Sequence, residues 1–127
     1  MKKGYLAHYC CCGNTTHKQS VVYVDNNRLY SIERFVAETP CTTFYDGLLI
    51  VVSPTFHSQR DTFIEQLQEK LTKHSQLTIT EAIQQIDTYN NHPVAINDEC
   101  LIYTLSPITW HTLRPINPKE LRINLIK

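Results

Sequence analysis

Short apolar runs alternate with turn-forming residues through the first part of the chain. Residues 20 to 24 form a β-branched run, and residues 29 to 36 resume strand character after Asp25, Asn26 and Asn27. Asp and Asn tolerate the positive φ that tight turns demand. The pattern therefore predicts two strands joined as a hairpin.

Two further apolar segments flank that hairpin. Residues 5 to 12 are rich in aromatic and small apolar side chains and precede the turn formers at 13 to 16, which predicts an earlier strand. Residues 48 to 52 are five consecutive apolar residues that follow Asp46 and Gly47. Such a run is typical of a strand covered on both faces, so we expect it in the core.

The apolar spacing changes to that of a helix from residue 60 onward. Residues 60 to about 74 are predicted to form an amphipathic helix, and residues 78 to 91 a second one. Thr78 and Glu81 have the spacing of a capping box, which marks the start of the second helix. The apolar positions are Phe63, Ile64, Leu67 and Leu71 in the first helix and Ile79, Ala82, Ile83, Ile86 and Tyr89 in the second.

Strand character returns after Pro93. The predicted strands cover residues 94 to 96, 100 to 105, 108 to 113 and 121 to 126. We expect a single domain with a β block (1 to 56), a helical pair (60 to 91) and a second β block (93 to 127). The fold class is then mostly β with two helices (α+β). The N- and C-terminal segments should join in one sheet or, as we expect, in a small β-sandwich around the helical pair.

Composition and charge narrow the function classes. The 127 residues are 42% hydrophobic and 19% charged, as in ordinary globular domains. Twelve basic and twelve acidic residues cancel, so no positive field attracts nucleic acid or an anionic membrane. No window approaches the roughly 20 apolar residues of a membrane span, and the first residues lack an export signal. We expect a cytoplasmic protein with free thiols that binds neither nucleic acid nor membrane.

Residue types that bind metals cluster near the start of the chain, at His8, Cys10, Cys12 and His17. Alternation along a strand would place His8, Cys10 and Cys12 on one face, which would permit a three-ligand zinc site. Cysteine is also among the most buried residues, and zinc sites usually space their ligands through turns, which favours core packing instead. The zinc or thiol site is kept as an alternative.

No catalytic residue and no cofactor are predicted. Glycine occurs only at Gly4, Gly13 and Gly47, which leaves neither a phosphate-binding loop nor a nucleophile elbow. His57 follows the apolar run at a strand end, where a metal ligand could be exposed. A catalytic metal commonly takes three protein ligands, so His57 alone does not predict a metal centre.

A longer pattern covers residues 21 to 57. Val22, Asp25, Leu29 and Ile32 are similar to a family hairpin of the form V-x-V-D-x-x-x-I-x-x-I, and the segment after Tyr45 is similar to the form Y-D-G-x-L-x-x-P-G-F. The chain thus resembles the amino-terminal part of the amidohydrolase superfamily of metal-dependent hydrolases, especially its chlorohydrolase and cytosine-deaminase-like branch. The resemblance implies a composite β-sandwich, built from both chain ends, that flanks a metal-bearing barrel.

The departures from that family decide the expected function. His57 is followed by Ser58 and Gln59, so the metal-binding H-x-H is absent, and Thr55 stands where the family has Gly. A barrel needs roughly 200 residues or more, whereas the predicted helical pair spans only residues 60 to 91. The resemblance therefore implies a barrel-less, non-catalytic relative that acts through a protein partner or as a homodimer. The alternatives are the zinc or thiol site and residual hydrolysis of a C–N bond.

Overall fold

The protein is built around one mixed sheet with helices on one face. The structure is a computed structural model and describes residues 2–37, 41–109 and 112–127. The strands are β1 (Lys2–Cys12), β2 (Thr15–Asp25), β3 (Arg28–Arg34), β4 (Thr42–Phe44), β5 (Leu48–Val52), β6 (Leu101–Ser106), β7 (Ile108–Thr109), β8 (Arg114–Pro115) and β9 (Arg122–Leu125). The helices are α1 (Arg60–Lys73), α2 (Ile79–Gln84) and α3 (Asp87–Asn90), with 3₁₀ helices at Pro54–Gln59 and Pro118–Glu120.

Strands from both predicted β blocks share this sheet, in the order β3-β2-β1-β5-β6-β9. The first half of β1 pairs in parallel with β4 and its second half pairs in parallel with β5, while the other pairs are antiparallel. The mostly β, α+β fold class is confirmed. The two blocks are hydrogen-bonded through β1, β5 and β6, so they form one continuous sheet where a sandwich would have two. Only β7 and β8 form a separate ribbon among the described strands.

The predicted hairpin is confirmed between β2 and β3. Asp25 pairs with Arg28 across a two-residue turn, and Asn26 and Asn27 have φ values of 52° and 64°. These left-handed conformations match the twist of the flanking strands, which is why Asn is favoured there.

Strand β5 carries core residues on both of its faces, as predicted from its apolar run. Leu48, Ile50 and Val52 pack with the helices. Leu49 and Val51 belong to a second apolar cluster on the opposite face. A strand buried on both sides cannot accept polar residues at alternate positions, which explains the five consecutive apolar residues.

The helical segment agrees with the prediction except at one break. The capping box is present, since the Thr78 N–H donates to Glu81 Oε1 at 2.9 Å and the Glu81 N–H donates to Thr78 Oγ1 at 3.3 Å. All five apolar residues predicted for the second helix are buried. The helix is nevertheless divided at Ile86, which has an extended backbone (φ −103°, ψ 116°). The side-chain amide of Asn90 donates to the Gln84 carbonyl across this break at 2.8 Å.

The predicted strand at residues 94 to 96 is wrong. This segment runs into a turn in which the Ala95 N–H donates to Asp98 Oδ2 at 3.0 Å and Asn97 has a φ of 78°. Of its three apolar residues only Val94 is buried, against the second cluster, whereas Ile96 is 52% exposed. The strand predicted at 108 to 113 is found only over Ile108–Thr109, and residues 110 and 111 lie outside the described ranges.

None of the described helices combines the length and the apolar character that a membrane-spanning helix needs.

Candidate functional site

The structure separates His8 from the other residues of the predicted zinc site. Cys10 is completely buried, whereas His8 is exposed and its ring contacts Phe44 edge-on at 5.5 Å. Ala7 and Cys10 pack into the same cluster although three positions separate them, so strict alternation fails between them. The interruption coincides with Gln19, which follows Lys18 in the partner strand and has a φ of 50°.

His17 pairs with Cys10 across the β1–β2 hairpin and is half-buried. In the described ranges no group of three or more His, Cys, Asp or Glu side chains is arranged to hold a metal ion. The side chains of the predicted site are divided between the core and the surface.

The buried thiols pack as small apolar groups. Burial raises the pKa of Cys10 well above its ordinary value, and burial raises the pKa values of Cys11 and Cys100 to about 11. Cys12 donates its thiol proton to the Val94 carbonyl at 3.7 Å. Thiolates rather than thiols bind metals and attack electrophiles. These side chains are therefore poorly suited to either role in this fold.

A cluster of hydroxyls and an imidazole lies where β5 ends. Thr55 Oγ1 is 2.8 Å from His92 Nδ1, and Ser53 Oγ is 2.9 Å from Thr55 Oγ1. The Phe56 ring packs edge-on against the imidazole, with ring centroids 5.9 Å apart. The backbone reinforces the contact, since the Ser53 N–H donates to the His92 carbonyl at 3.2 Å.

This cluster has only part of the geometry of nucleophilic catalysis. A hydroxyl that contacts an imidazole can pass its proton to that base, but the base needs a third group to orient it. No carboxylate among the described residues contacts His92. The pair was missed in the sequence because Thr55 and His92 are 37 positions apart and no motif spans that distance.

His57 makes a structural contact with a buried tyrosine. Its Nδ1 is 2.7 Å from the Tyr103 hydroxyl, and the two rings are stacked with centroids 6.3 Å apart. Burial raises the pKa of Tyr103, which keeps its hydroxyl protonated as a partner for the imidazole. The Arg60 guanidinium donates to the His57 carbonyl at 2.7 Å. His57 thus closes the sheet end, and in the described part of the chain it belongs to no group of three or more His, Cys, Asp or Glu side chains that could hold a metal ion.

The helices cover only part of their face of the sheet. They pack on β5, β6 and the end of β1, where Tyr9 and Cys11 contact the helix-side cluster. Farther along the same face, Tyr23 lies between Val22 and Val24, which both point to the opposite cluster. Alternation therefore places Tyr23 on the helix side, in a region that the helices do not reach.

Aromatic and charged side chains occupy this region of the sheet. Lys2 Nζ lies 4.9 Å from the centre of the Tyr23 ring and 4.6 Å from the centre of the Tyr30 ring, so all three share one face. Glu33 joins them, because Ser31 Oγ, opposite Tyr23 in the ladder, donates to Glu33 Oε2 at 2.7 Å. We define the open face as the surface formed by Lys2, Tyr23, Tyr30, Ser31, Glu33 and Phe44.

Two of its aromatic side chains are half exposed to solvent. Tyr30 is 50% exposed and Phe44, on β4 beside the start of β1, is 52% exposed. The close fit of β4 beside β1 favours Gly4, because a Cβ there would lie 2.6 Å from Thr42 Oγ1. Tyr30 and Phe44 are thus two half-exposed rings on strands that have no helix above them.

Comparison of the chain with protein-family models, with curated proteins and with solved structures found no match in any of the three. The resemblance to the amidohydrolase superfamily stays a prediction from the sequence.

Proposed function

We propose that the protein is a non-catalytic module that binds a protein chain through the open face. The observation that carries the proposal is the pair of half-exposed rings, Tyr30 and Phe44, on a sheet surface that the helices leave uncovered. Exposed apolar patches on small proteins mark interaction sites, and aromatic residues are enriched in protein interfaces.

The open face is also organised in advance of binding. Lys2 holds its ammonium group against both tyrosine rings, which restricts three flexible side chains before a partner arrives. Side chains that are already ordered lose less conformational entropy on binding. This arrangement favours the interpretation that the open face is a binding surface over the interpretation that it only lacks a covering helix.

The non-catalytic part of the proposal rests on the remaining sites. The thiols of Cys10, Cys11 and Cys100 are buried and protonated, and Thr55 and His92 lack an orienting carboxylate in the described ranges. The proposal agrees with the resemblance, which implies a domain that has lost an adjoining barrel. We therefore extend the proposal: the protein is a barrel-less relative of the amidohydrolase satellite domain, in which the open face binds a new partner.

Site-specific photo-crosslinking in the protein's own cells tests this function. Tyr30→benzoylphenylalanine should yield, on irradiation, a covalent adduct between this chain and a protein. The matched control is Glu65→benzoylphenylalanine on the exposed side of α1, which should yield little adduct. Equal adduct yields at the two positions, or none at position 30, would show that the open face binds no protein.

A further inference from the structure

We infer that a concave site on the face of the sheet opposite the helices binds a phosphate group, either as free phosphate or as a small phosphate monoester. The site has a volume of about 440 Å³ and lies between the start of β1, the turn from β2 to β3 and the segment after β9. We define the anion pocket by its lining residues, Lys3, Tyr5, Val24, Asn26, Asn27 and Lys127. Tyr5 and Val24 belong to the second apolar cluster, so the anion pocket lies on the other side of the sheet from the open face. Binding there is therefore independent of the proposed function.

The anion pocket carries positive charge that the described residues do not neutralise. Lys3 and Lys127 line it, and none of the described residues that line it is Asp or Glu. Neither ammonium group forms an ion pair with a described residue. Charges of one sign along a concave surface reinforce each other and attract a counter-ion. This positive charge is local, because the whole chain has a formal net charge of zero.

The carboxylates that are closest along the chain are engaged elsewhere. Asp25 pairs in the ladder with Lys2, which belongs to the open face, so both side chains lie on the opposite side of the sheet from the anion pocket. Glu99 forms an ion pair with Arg28, with 3.9 Å between Oε1 and Nη2. An anion in the pocket therefore meets the two lysines without a carboxylate between them.

The side chains of Lys127 and Asn27 present donors to the pocket. Lys127 Nζ donates to Asn27 Oδ1 at 2.6 Å, and because an ammonium group can only donate, the amide oxygen must face it. The amide NH₂ is then the free end of Asn27, and Lys127 keeps two further N–H groups. The Lys127 carbonyl is turned toward β6, where it accepts from the Ile102 N–H at 3.4 Å.

The hydroxyl of Tyr5 is a further donor. The side chain is only 8% exposed and lines the anion pocket, yet its hydroxyl has no hydrogen-bond partner among the described residues. Tyrosines this deeply buried usually have such a partner, and a phosphate oxygen would supply one. Burial raises the pKa of Tyr5, so the hydroxyl keeps its proton and donates at neutral pH.

The frame of the pocket is fixed before a ligand binds. The turn residues Asn26 and Asn27 hold φ values of 52° and 64°, and the Asn27 carbonyl accepts from the Cys100 N–H at 3.0 Å. The Tyr5 ring is stacked on Tyr45, with centroids 5.8 Å apart. A phosphate monoester carries close to two negative charges and three acceptor oxygens, which match two ammonium groups, an amide and a hydroxyl. A carboxylate would balance only one of the two positive charges.

Titrations of the purified full chain, followed by NMR at about pH 7.5 and constant ionic strength, test this site. Phenyl phosphate should shift the backbone amide signals of Asn26 and Asn27 with a dissociation constant of about 1 mM or lower. Benzoate, which has the same ring and a single charge, should bind at least about tenfold more weakly. Inorganic phosphate identifies the source of the ligand. Equal binding of both phosphates indicates that free phosphate is sufficient, whereas tighter binding of phenyl phosphate indicates a monoester, and each result supports the site.

Single substitutions locate the binding. Lys3→Gln and Lys127→Gln should each weaken phenyl phosphate binding about tenfold, because each removes one charge-assisted contact. Tyr5→Phe keeps the packed ring and should weaken binding about threefold or more through loss of the hydroxyl. The matched control, Lys18→Gln on the exposed part of β2, should change it less than about twofold. Absence of shifts at about 10 mM phenyl phosphate, equal binding of benzoate, or equal effects of Lys3→Gln and Lys18→Gln would overturn the inference.

Discussion

Raising the pH should weaken the folded protein through the thiol of Cys11. This side chain lies on the helix side of β1 and is completely buried, with its sulfur 3.8 Å from the Thr16 hydroxyl. Burial raises the pKa of Cys11 from its ordinary value of 9.0 to about 11. The thiol in the unfolded chain therefore ionises at a lower pH than the thiol in the folded protein.

The sign and the size of the effect follow from proton linkage. Because the folded state holds its proton more tightly, the stabilisation from this thiol is complete below about pH 9 and is lost as the pH rises toward 11. Each pH unit in that window removes up to about 1.4 kcal/mol. By about pH 10.5 the loss is about 2 kcal/mol in the free energy of unfolding.

The variant Cys11→Ala isolates this loss from the ionisation of other groups. Urea unfolding followed by circular dichroism, under reducing conditions at about pH 8 and about pH 10.5, gives the free energy of unfolding of both proteins. The advantage of the unchanged protein over Cys11→Ala should shrink by about 2 kcal/mol between the two conditions. A difference that stays constant would refute the reasoning, since it would mean that the thiol ionises at the same pH in the folded and the unfolded chain. A difference that grows would refute it too, since it would mean that the folded thiol is already ionised, as a metal-bound thiolate is.

Three further predictions concern packing, capping and exposure. Gly4→Ala should cost about 1–3 kcal/mol, because the added Cβ would meet Thr42 Oγ1 at 2.6 Å and Val21 Cγ1 at 2.9 Å. Thermal unfolding should show that Thr42→Ala recovers part of the loss, and equal losses in both backgrounds would exclude the contact with Thr42 Oγ1 as its cause. Thr78→Ala should lower the free energy of unfolding by about 1 kcal/mol in urea, through loss of the capping box; an unchanged midpoint would contradict it. Cys41 is exposed, so a thiol reagent should find one rapidly reacting group in the native protein, and Cys41→Ser should abolish that phase; persistence of the phase would assign it to another cysteine.

The parts of the fold with local signals could be predicted from the sequence. The turn at Asn26 and Asn27 needs left-handed backbone, and the capping box at Thr78 and Glu81 satisfies its own helix end, so both are determined by neighbouring residues. The strand predicted at 94 to 96 failed because Asp98 offers the Ala95 N–H a side-chain acceptor, which replaces a strand partner.

The candidate site could not be predicted, because it depends on the strand order. Tyr23 and Tyr30 belong to ordinary alternating strands, and nothing in their own segments tells whether a helix covers them. That depends on the pairing of β1 with β5, which places the helices over the far half of the sheet. The contact between Thr55 and His92 likewise joins distant segments that only the folded sheet brings together.

The central position of β1 in the sheet also has a kinetic consequence. β1, β2 and β3 are joined by two-residue turns, so their pairings close short loops and can form within microseconds. The parallel pairing of β1 with β5 joins residues far apart in the chain, such as Cys10 and Leu49, and must first meet the entropy cost of closing that loop. Docking of β5 on a preformed three-stranded ribbon is therefore expected to limit the folding rate. Substitutions at the contact between β1 and β5 should slow folding, whereas those in β3 should act mainly on unfolding.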